Sequence, residues 1–110
     1  MSLVRYLWMK RKISLVQAIS RCKPAQAFRN LSRALAAAQA TTADVVKIGI
    51  YIKHYQRSDA AIVGEALKKA FPYQSLPVST WLGVESLAEE GFLIEVDVIA
   101  VTESVANGTI

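Results

Sequence analysis

Two carboxylates stand two residues apart in an alternating apolar run near the end of this 110-residue chain. Glu95 and Asp97 share one face of a strand predicted over residues 92–102, because strand side chains alternate between two faces. A carboxylate in partly apolar surroundings can have a raised pKa and act as an acid or base, or orient a water. The competing interpretation is a cross-strand ion pair with Lys47 or Lys53, which is the more common arrangement.

A short polar segment precedes this strand and offers hydrogen-bond donors. Ser79 and Thr80 could bind a ligand beside the aromatic side chains of Trp81 and Tyr51. The single histidine, His54, ends a strand-like run without a visible partner, so neither hydroxyl is predicted to be an activated nucleophile. The sequence shows no nucleophile elbow, phosphate loop, dinucleotide fingerprint or metal-ligand cluster, and we predict no cofactor and no metal.

The elements that position these residues are predicted in the order strand, helix, strand, helix, strand, strand. Residues 3–8 fit an edge strand, residues 9–12 a charged break, and residues 13–19 fit a strand or a helix equally. Pro24 opens the first helix, since proline is favoured at the first helical position. The second helix begins near Ser58 or Asp59, either of which can cap it, and ends at Pro72.

The strand predicted over residues 45–53 has one face packed on helices. Its apolar side chains alternate with Lys47, Gly49, Tyr51 and Lys53, and the predicted inward set is Val46, Ile48, Ile50 and Ile52. The result is an α+β layer with helices on one sheet face. The opposite face needs water, a ligand or another subunit, and is predicted to bear Lys47, Tyr51, Trp81, Glu95 and Asp97.

The bulk composition limits the class of protein. A chain of 110 residues and 12.1 kDa forms one small domain. Its 53% hydrophobic content and mean hydropathy of +0.27 are high for a soluble monomer, and its apolar runs are too short to span a bilayer. We therefore expect an oligomer interface and no membrane partner. A lone Cys22 excludes an intramolecular disulfide and favours a cytoplasmic location.

Charge is distributed unevenly along the chain. No Asp or Glu precedes Asp44, whereas eight basic residues do: Arg5, Lys10, Arg11, Lys12, Arg21, Lys23, Arg29 and Arg33. Such a segment could contact RNA or another acidic surface, or serve as an organelle transit peptide. A solvated basic face is the favoured interpretation. We divide the chain into an atypical basic segment over residues 1–24, a domain over 25–104 and a tail over 105–110.

Four segments together resemble the Rid family, the YjgF-like reactive-intermediate deaminases also named endoribonuclease L-PSP or translation inhibitor. They are residues 26–31 (QAFRNL), 44–47 (DVVK), 77–84 (PVSTWLGV) and 95–101 (EVDVIAV). The similarity runs in register from Gln26 to Val101. It implies a chorismate-mutase-like α+β fold and a homotrimer with ligand pockets in the clefts between subunits.

The resemblance also implies a chemistry, from which this chain departs. Active members bind the substrate carboxylate with an arginine and use a strand carboxylate, matched by Asp97, to position the water that hydrolyses an enamine or imine. Ser79 stands in place of that arginine and lacks its charged bidentate fork. Ala60 stands where an aromatic ring often closes the pocket, and residues 1–24 show no Ser-Gly-Gln-like loop. We therefore expect metabolite binding between subunits, with a different or absent hydrolytic activity. The alternatives are RNA binding or cleavage, and a structural trimer with vestigial clefts.

Overall fold

Four strands and two helices form the protein in a computed structural model that describes residues 9–21, 23–71 and 76–105. In chain order they are β1 (Met9–Ser20), α1 (Pro24–Ala37), β2 (Val45–Lys53), α2 (Asp59–Ala70), β3 (Val78–Val84) and β4 (Ile94–Val105), with a 3-10 turn at Thr42–Asp44. From α1 onward the predicted order of elements is confirmed. Pro24 is in the first turn of α1, as predicted. The strand predicted at residues 3–8 and the helix stop at Pro72 lie outside the described residues.

The first strand is longer than the sequence indicates. Residues 9–12 belong to β1, whose antiparallel ladder with β4 runs from Met9 opposite Val105 to Ser20 opposite Ile94. The prediction of a charged break there is wrong, because the ladder is formed by backbone groups and a charged sequence does not prevent their pairing. The ambiguity over residues 13–19 resolves to strand.

The sheet is mixed, with the order β1-β4-β2-β3. Strand β4 lies between β1 and β2 and is antiparallel to both, whereas β2 and β3 are parallel. Parallel neighbours need a crossover, which α2 supplies. The residues of β4 are consequently held by pairing on both sides, which gives Asp97 a fixed place in the sheet.

One face of the sheet carries the core. Both helices cover this face, and Phe71 at the end of α2 packs edge-on against Phe28 of α1, with ring centroids 6.3 Å apart and an interplanar angle of 87°. The inward side chains of the strands alternate as expected for a half-buried sheet. The buried strand side chains include Val16, Ala18, Ile48, Ile50, Ile52, Ile94, Val96, Val98 and Ala100.

The inward set predicted for β2 is wrong at its first member. Val45 is buried and Val46 is 51% exposed, because the pairing with β4 shifts register between Val45 and Lys47. A bulge places one extra residue on a strand and reverses the alternation on one side of it. Ile48, Ile50 and Ile52 lie beyond the bulge and point inward as predicted.

Candidate functional site

The sheet face opposite the helices has no covering layer among the residues that the structure describes. Large apolar side chains are exposed on both outer strands of this open face, Ile13 (68%) and Leu15 (79%) on β1 and Val78 (71%) on β3. Exposed apolar patches of this kind mark binding or association surfaces. Polar side chains of β2 and β4 lie between these two apolar margins.

The centre of the open face is built around Gly49 of β2, which pairs with Asp97 of β4. A Cβ atom added to Gly49 would lie 2.6 Å from Asp97 Oδ1 and 2.9 Å from Tyr51 Oη. The missing side chain therefore leaves the space in which the carboxylate and the phenol meet. A glycine inside a strand often marks such a close approach.

These groups line a cavity of about 660 Å³ on the open face. Thr80 contributes from β3 and Lys47 from β2, so a carboxylate, a phenol, a hydroxyl and an ammonium surround one space. The remaining wall is apolar apart from one amide, and comprises Leu15, Gln17, Val98 and Ile99. Such a mixture of apolar wall and few polar groups is typical of small-molecule sites.

Glu95 lies at the edge of the same cluster. It accepts a hydrogen bond from Gln17 Nε2 across the β1–β4 pair, at 3.3 Å. Within the described residues, neither Glu95 nor Asp97 forms an ion pair, and Lys53 Nζ instead donates to the carbonyl of Glu90 at 3.1 Å. The common alternative of a cross-strand ion pair with Lys47 or Lys53 is therefore not what this subunit contains.

Asp97 changes the acidity of its neighbour. The negative charge of Asp97 raises the pKa of Tyr51 above its ordinary value of about 10, and desolvation, a hydrogen-bonding interaction with Asp97 and the charge of Glu95 act in the same direction. The protonated phenol is thus the favoured form, a hydrogen-bond donor at neutral pH. Because the folded-state pKa is raised, any stability linked to this group is present below about pH 10 and is lost as the pH rises through the raised pKa.

We expect Asp97→Asn to shift the titration of Tyr51 to lower pH, since it removes the largest cause of the raised pKa. The measurement is a spectrophotometric titration of tyrosinate, with Tyr51→Phe identifying the signal. Glu103→Gln removes a charge from an exposed position farther along β4 and serves as the matched control. An unchanged Tyr51 titration in Asp97→Asn would contradict the proximity of the two groups.

The structure brings together only part of the predicted site. Tyr51, Thr80 and Asp97 share the open face with Glu95 beside them. Trp81 lies on the helix face, where its Cη2 would be 3.8 Å from a Cβ added to Gly64 of α2, so its predicted place on the open face is wrong. Ser79 is exposed and opposite Ile48 in the β2–β3 pairing, which also puts it on the helix side of the edge strand.

Gly49, Gln17 and Leu15 line the cavity but were not predicted from the sequence as site residues. Gly49 carried the signal of an isolated glycine inside a strand. Gln17 and Leu15 fell in the run that fitted a helix as well as a strand, so their face could not be assigned. His54 stays apart from the cavity, exposed in a left-handed conformation with φ of 52° at the end of β2.

No three His, Cys, Asp or Glu residues are grouped in a way that could hold a metal ion within residues 9–21, 23–71 and 76–105. Across the same described ranges, no helix is long and apolar enough to cross a membrane.

The fold and the open polar face define a YjgF-like α+β protein, and comparison with known proteins specifies the family. The sequence model of endoribonuclease L-PSP matches residues 9–102. This chain therefore belongs to the endoribonuclease L-PSP family, the YjgF or Rid group, which confirms the resemblance found in the sequence. Among curated proteins, none matches it.

Solved structures show the same fold. Rv2704 of Mycobacterium tuberculosis, a member of the YjgF/YER057c/UK114 family, is 29% identical, with a TM-score of 0.67 over 81% of this chain and 75% of that one. The Rid-family protein YyfB of Yersinia pestis is 22% identical, with a TM-score of 0.73 over 83% and 79%. RidA of a Psychrobacter species is 22% identical, with a TM-score of 0.65 over 76% and 64%.

Proposed function

We propose that this protein is a homotrimer that binds a small metabolite in the clefts between its subunits. The observation that carries the proposal is the open sheet face, on which a polar cluster around Asp97 lies between exposed apolar margins such as Leu15. Apolar margins of this kind are suited to subunit contacts, which would leave the polar groups lining a cleft. Family membership supports the same arrangement.

The groups of the cavity suit a polar ligand. Lys47 offers a positive charge to an anionic group, Thr80 and protonated Tyr51 offer hydroxyl donors, and Asp97 can accept from a ligand or from a water. A water held by Asp97 could attack an imine carbon in a suitably placed substrate. The cleft would then combine binding with the positioning of a nucleophile.

Strong deaminase activity is not part of the proposal, because the arginine that the family resemblance implies for binding the substrate carboxylate is replaced. Ser79 stands where the family resemblance places an arginine, and a hydroxyl cannot form the paired, charge-assisted hydrogen bonds that orient a carboxylate. In one subunit Ser79 and Asp97 lie on opposite sides of the sheet. Residue 79 of one subunit could therefore reach the cavity around Asp97 only in a neighbouring subunit.

We expect Ser79→Arg to raise kcat/KM for hydrolysis of 2-aminoacrylate by about ten- to a hundredfold. A charge-assisted hydrogen bond contributes about 1.5–3 kcal/mol, and about 1.4 kcal/mol corresponds to a factor of ten in rate. Ser32→Arg, which adds the same charge to an exposed position of α1, is the matched control and should have no effect. Equal activity of the wild type and Ser79→Arg would show that the serine does not limit this reaction.

RNA binding is a second candidate, favoured by the exposed basic side chains of the first half of the chain. Arg29 and Arg33 are exposed on α1, which contains no acidic residue, and Arg21 and Lys23 are exposed just before it. Phosphate contacts by such side chains release counterions, so affinity for single-stranded RNA should fall steeply between low and moderate salt. Salt-independent affinity, measured by fluorescence anisotropy, would exclude this candidate. A trimer that binds neither metabolite nor RNA would leave a structural role.

A further inference from the structure

A second cavity lies on the helix side of the sheet, away from the open face. It is a groove of about 770 Å³ between the start of α1 and the side of α2, at the end of the sheet where β2 finishes and β4 begins. Its size is in the range of ligand sites. Small residues on the facing helices, Ala25 and Ala66, leave the space open.

The floor of this groove is apolar and in part unprotected from water. Ile62 of α2 is 59% exposed, and Leu93, just before β4, is 42% exposed. Ile52, Val63 and Ile94 continue the apolar surface into the core. An apolar chain lying here would remove both exposed side chains from water, at about 25 cal/mol per Å² buried.

The rim of the groove is cationic. Lys23, Lys53 and Lys69 border it, and none of these ammonium groups forms an ion pair within the described residues. Two acids also line the groove, Glu65 and Asp59. The carboxylate of Asp59 is already engaged, since it accepts a hydrogen bond from the backbone N–H of Gln56 at 2.8 Å.

The start of α1 adds to this positive character. Lys23 provides no side-chain cap, and the first turn contains no acidic residue, so nothing in that turn offsets the partial positive charge of the helix N-terminus. Pro24 and Ala25 of the same turn line the groove. A ligand that combines an apolar body with one negative group would match both the floor and the rim.

We propose that this groove binds an amphiphilic carboxylate, an unbranched or flat apolar body with its carboxylate among Lys23, Lys53 and Lys69. This site is separate from the inter-subunit cleft and does not depend on the proposed metabolite binding there. The apolar body lies over Ile62 and Leu93. The carboxylate exchanges its water for ammonium groups that otherwise have no anionic partner in the described chain.

The test compares three ligands with the same chain length and different head groups, below their micelle-forming concentrations. Laurate, dodecanol and dodecyltrimethylammonium displace a fluorescent naphthalene sulfonate from the protein. We expect laurate to bind at least about tenfold more tightly than dodecanol and the cation to bind worst, since one good charge-assisted contact corresponds to at least this factor. Equal affinities for laurate and dodecanol, or no binding of laurate, would overturn the proposal.

Variants locate the site. Ile62→Asp should weaken laurate binding at least tenfold, whereas Val46→Asp, which introduces the same charge at a similarly exposed position outside the groove, should leave it unchanged. Lys69→Met keeps the apolar stem and should weaken laurate without affecting dodecanol. Circular dichroism confirms that each variant is folded. Laurate affinity that is the same in all three variants, or self-association of the protein that Ile62→Asp abolishes, would overturn the assignment.

Discussion

Replacing Phe71 with alanine is expected to lower the free energy of unfolding by about 3–5 kcal/mol, the usual range for removing a buried phenylalanine. Its ring is fully buried, packs edge-on against Phe28 and closes the core at the end of α2. Its backbone N–H also donates to Leu67, so the helix ends where the ring is anchored. A domain of ordinary stability, about 5–15 kcal/mol, would lose a large share of it.

The measurement is urea denaturation at one fixed protomer concentration, because unfolding of an oligomer depends on concentration. Phe92→Ala is the matched control: this ring is half-buried and lies under the guanidinium of Arg21, at 5.3 Å from the Arg21 Cζ to the ring centroid. Removing this ring should lower the free energy of unfolding by about 1 kcal/mol. Equal losses for the two variants would contradict the assignment of Phe71 to the core.

Replacing Leu15 with aspartate is expected to convert the proposed trimer into monomers. Leu15 is 79% exposed in a single subunit, on the apolar margin of the open sheet face. In a trimer assembled through that face, burial of an apolar side chain at position 15 contributes about 1.5–3 kcal/mol to association. An aspartate there would lose this contribution and place an unpaired carboxylate in each interface. Three such positions per assembly make the effect large.

Sedimentation analysis gives the mass directly. Ile62→Asp introduces the same charge at an exposed apolar position on the helix side, and it should leave the mass at three protomers. A trimeric Leu15→Asp variant, or a wild type that is monomeric at all concentrations, would contradict assembly through the open face. A trimer lost in both variants alike would point to a general loss of folding, which circular dichroism detects.

Helices and strand order could be predicted because their signals are local. Pro24 marks the start of α1, and the inward residues of β4 follow strict alternation. Alternation failed at Val46, since a bulge depends on pairing with β4 and not on β2 alone. It also could not decide the face of Trp81, because only the packing of the ring against Gly64 fixes which side of β3 faces the helices.

Three polar residues of the candidate site, Tyr51, Thr80 and Asp97, could be predicted from the sequence, whereas other parts of its wall could not. Asp97 was identifiable because a charged residue within an apolar strand is unusual. Gly49 and Gln17 reach the cavity only through long-range pairing with β4, and the groove beside Ile62 arises from the packing of two helices and two strand ends. Such features arise from contacts between residues far apart in the sequence, so the local spacing of residues does not predict them.

The central place of β4 has a consequence for how the chain folds during its synthesis. The strand that joins β1 to β2 comes last in sequence among the four described strands, and even the closest β1–β4 pair connects Ser20 with Ile94. Until β4 emerges from the ribosome, β1 has no neighbouring strand in the sheet. Pairings so distant in sequence slow folding, so we expect the completion of this sheet to be a late step.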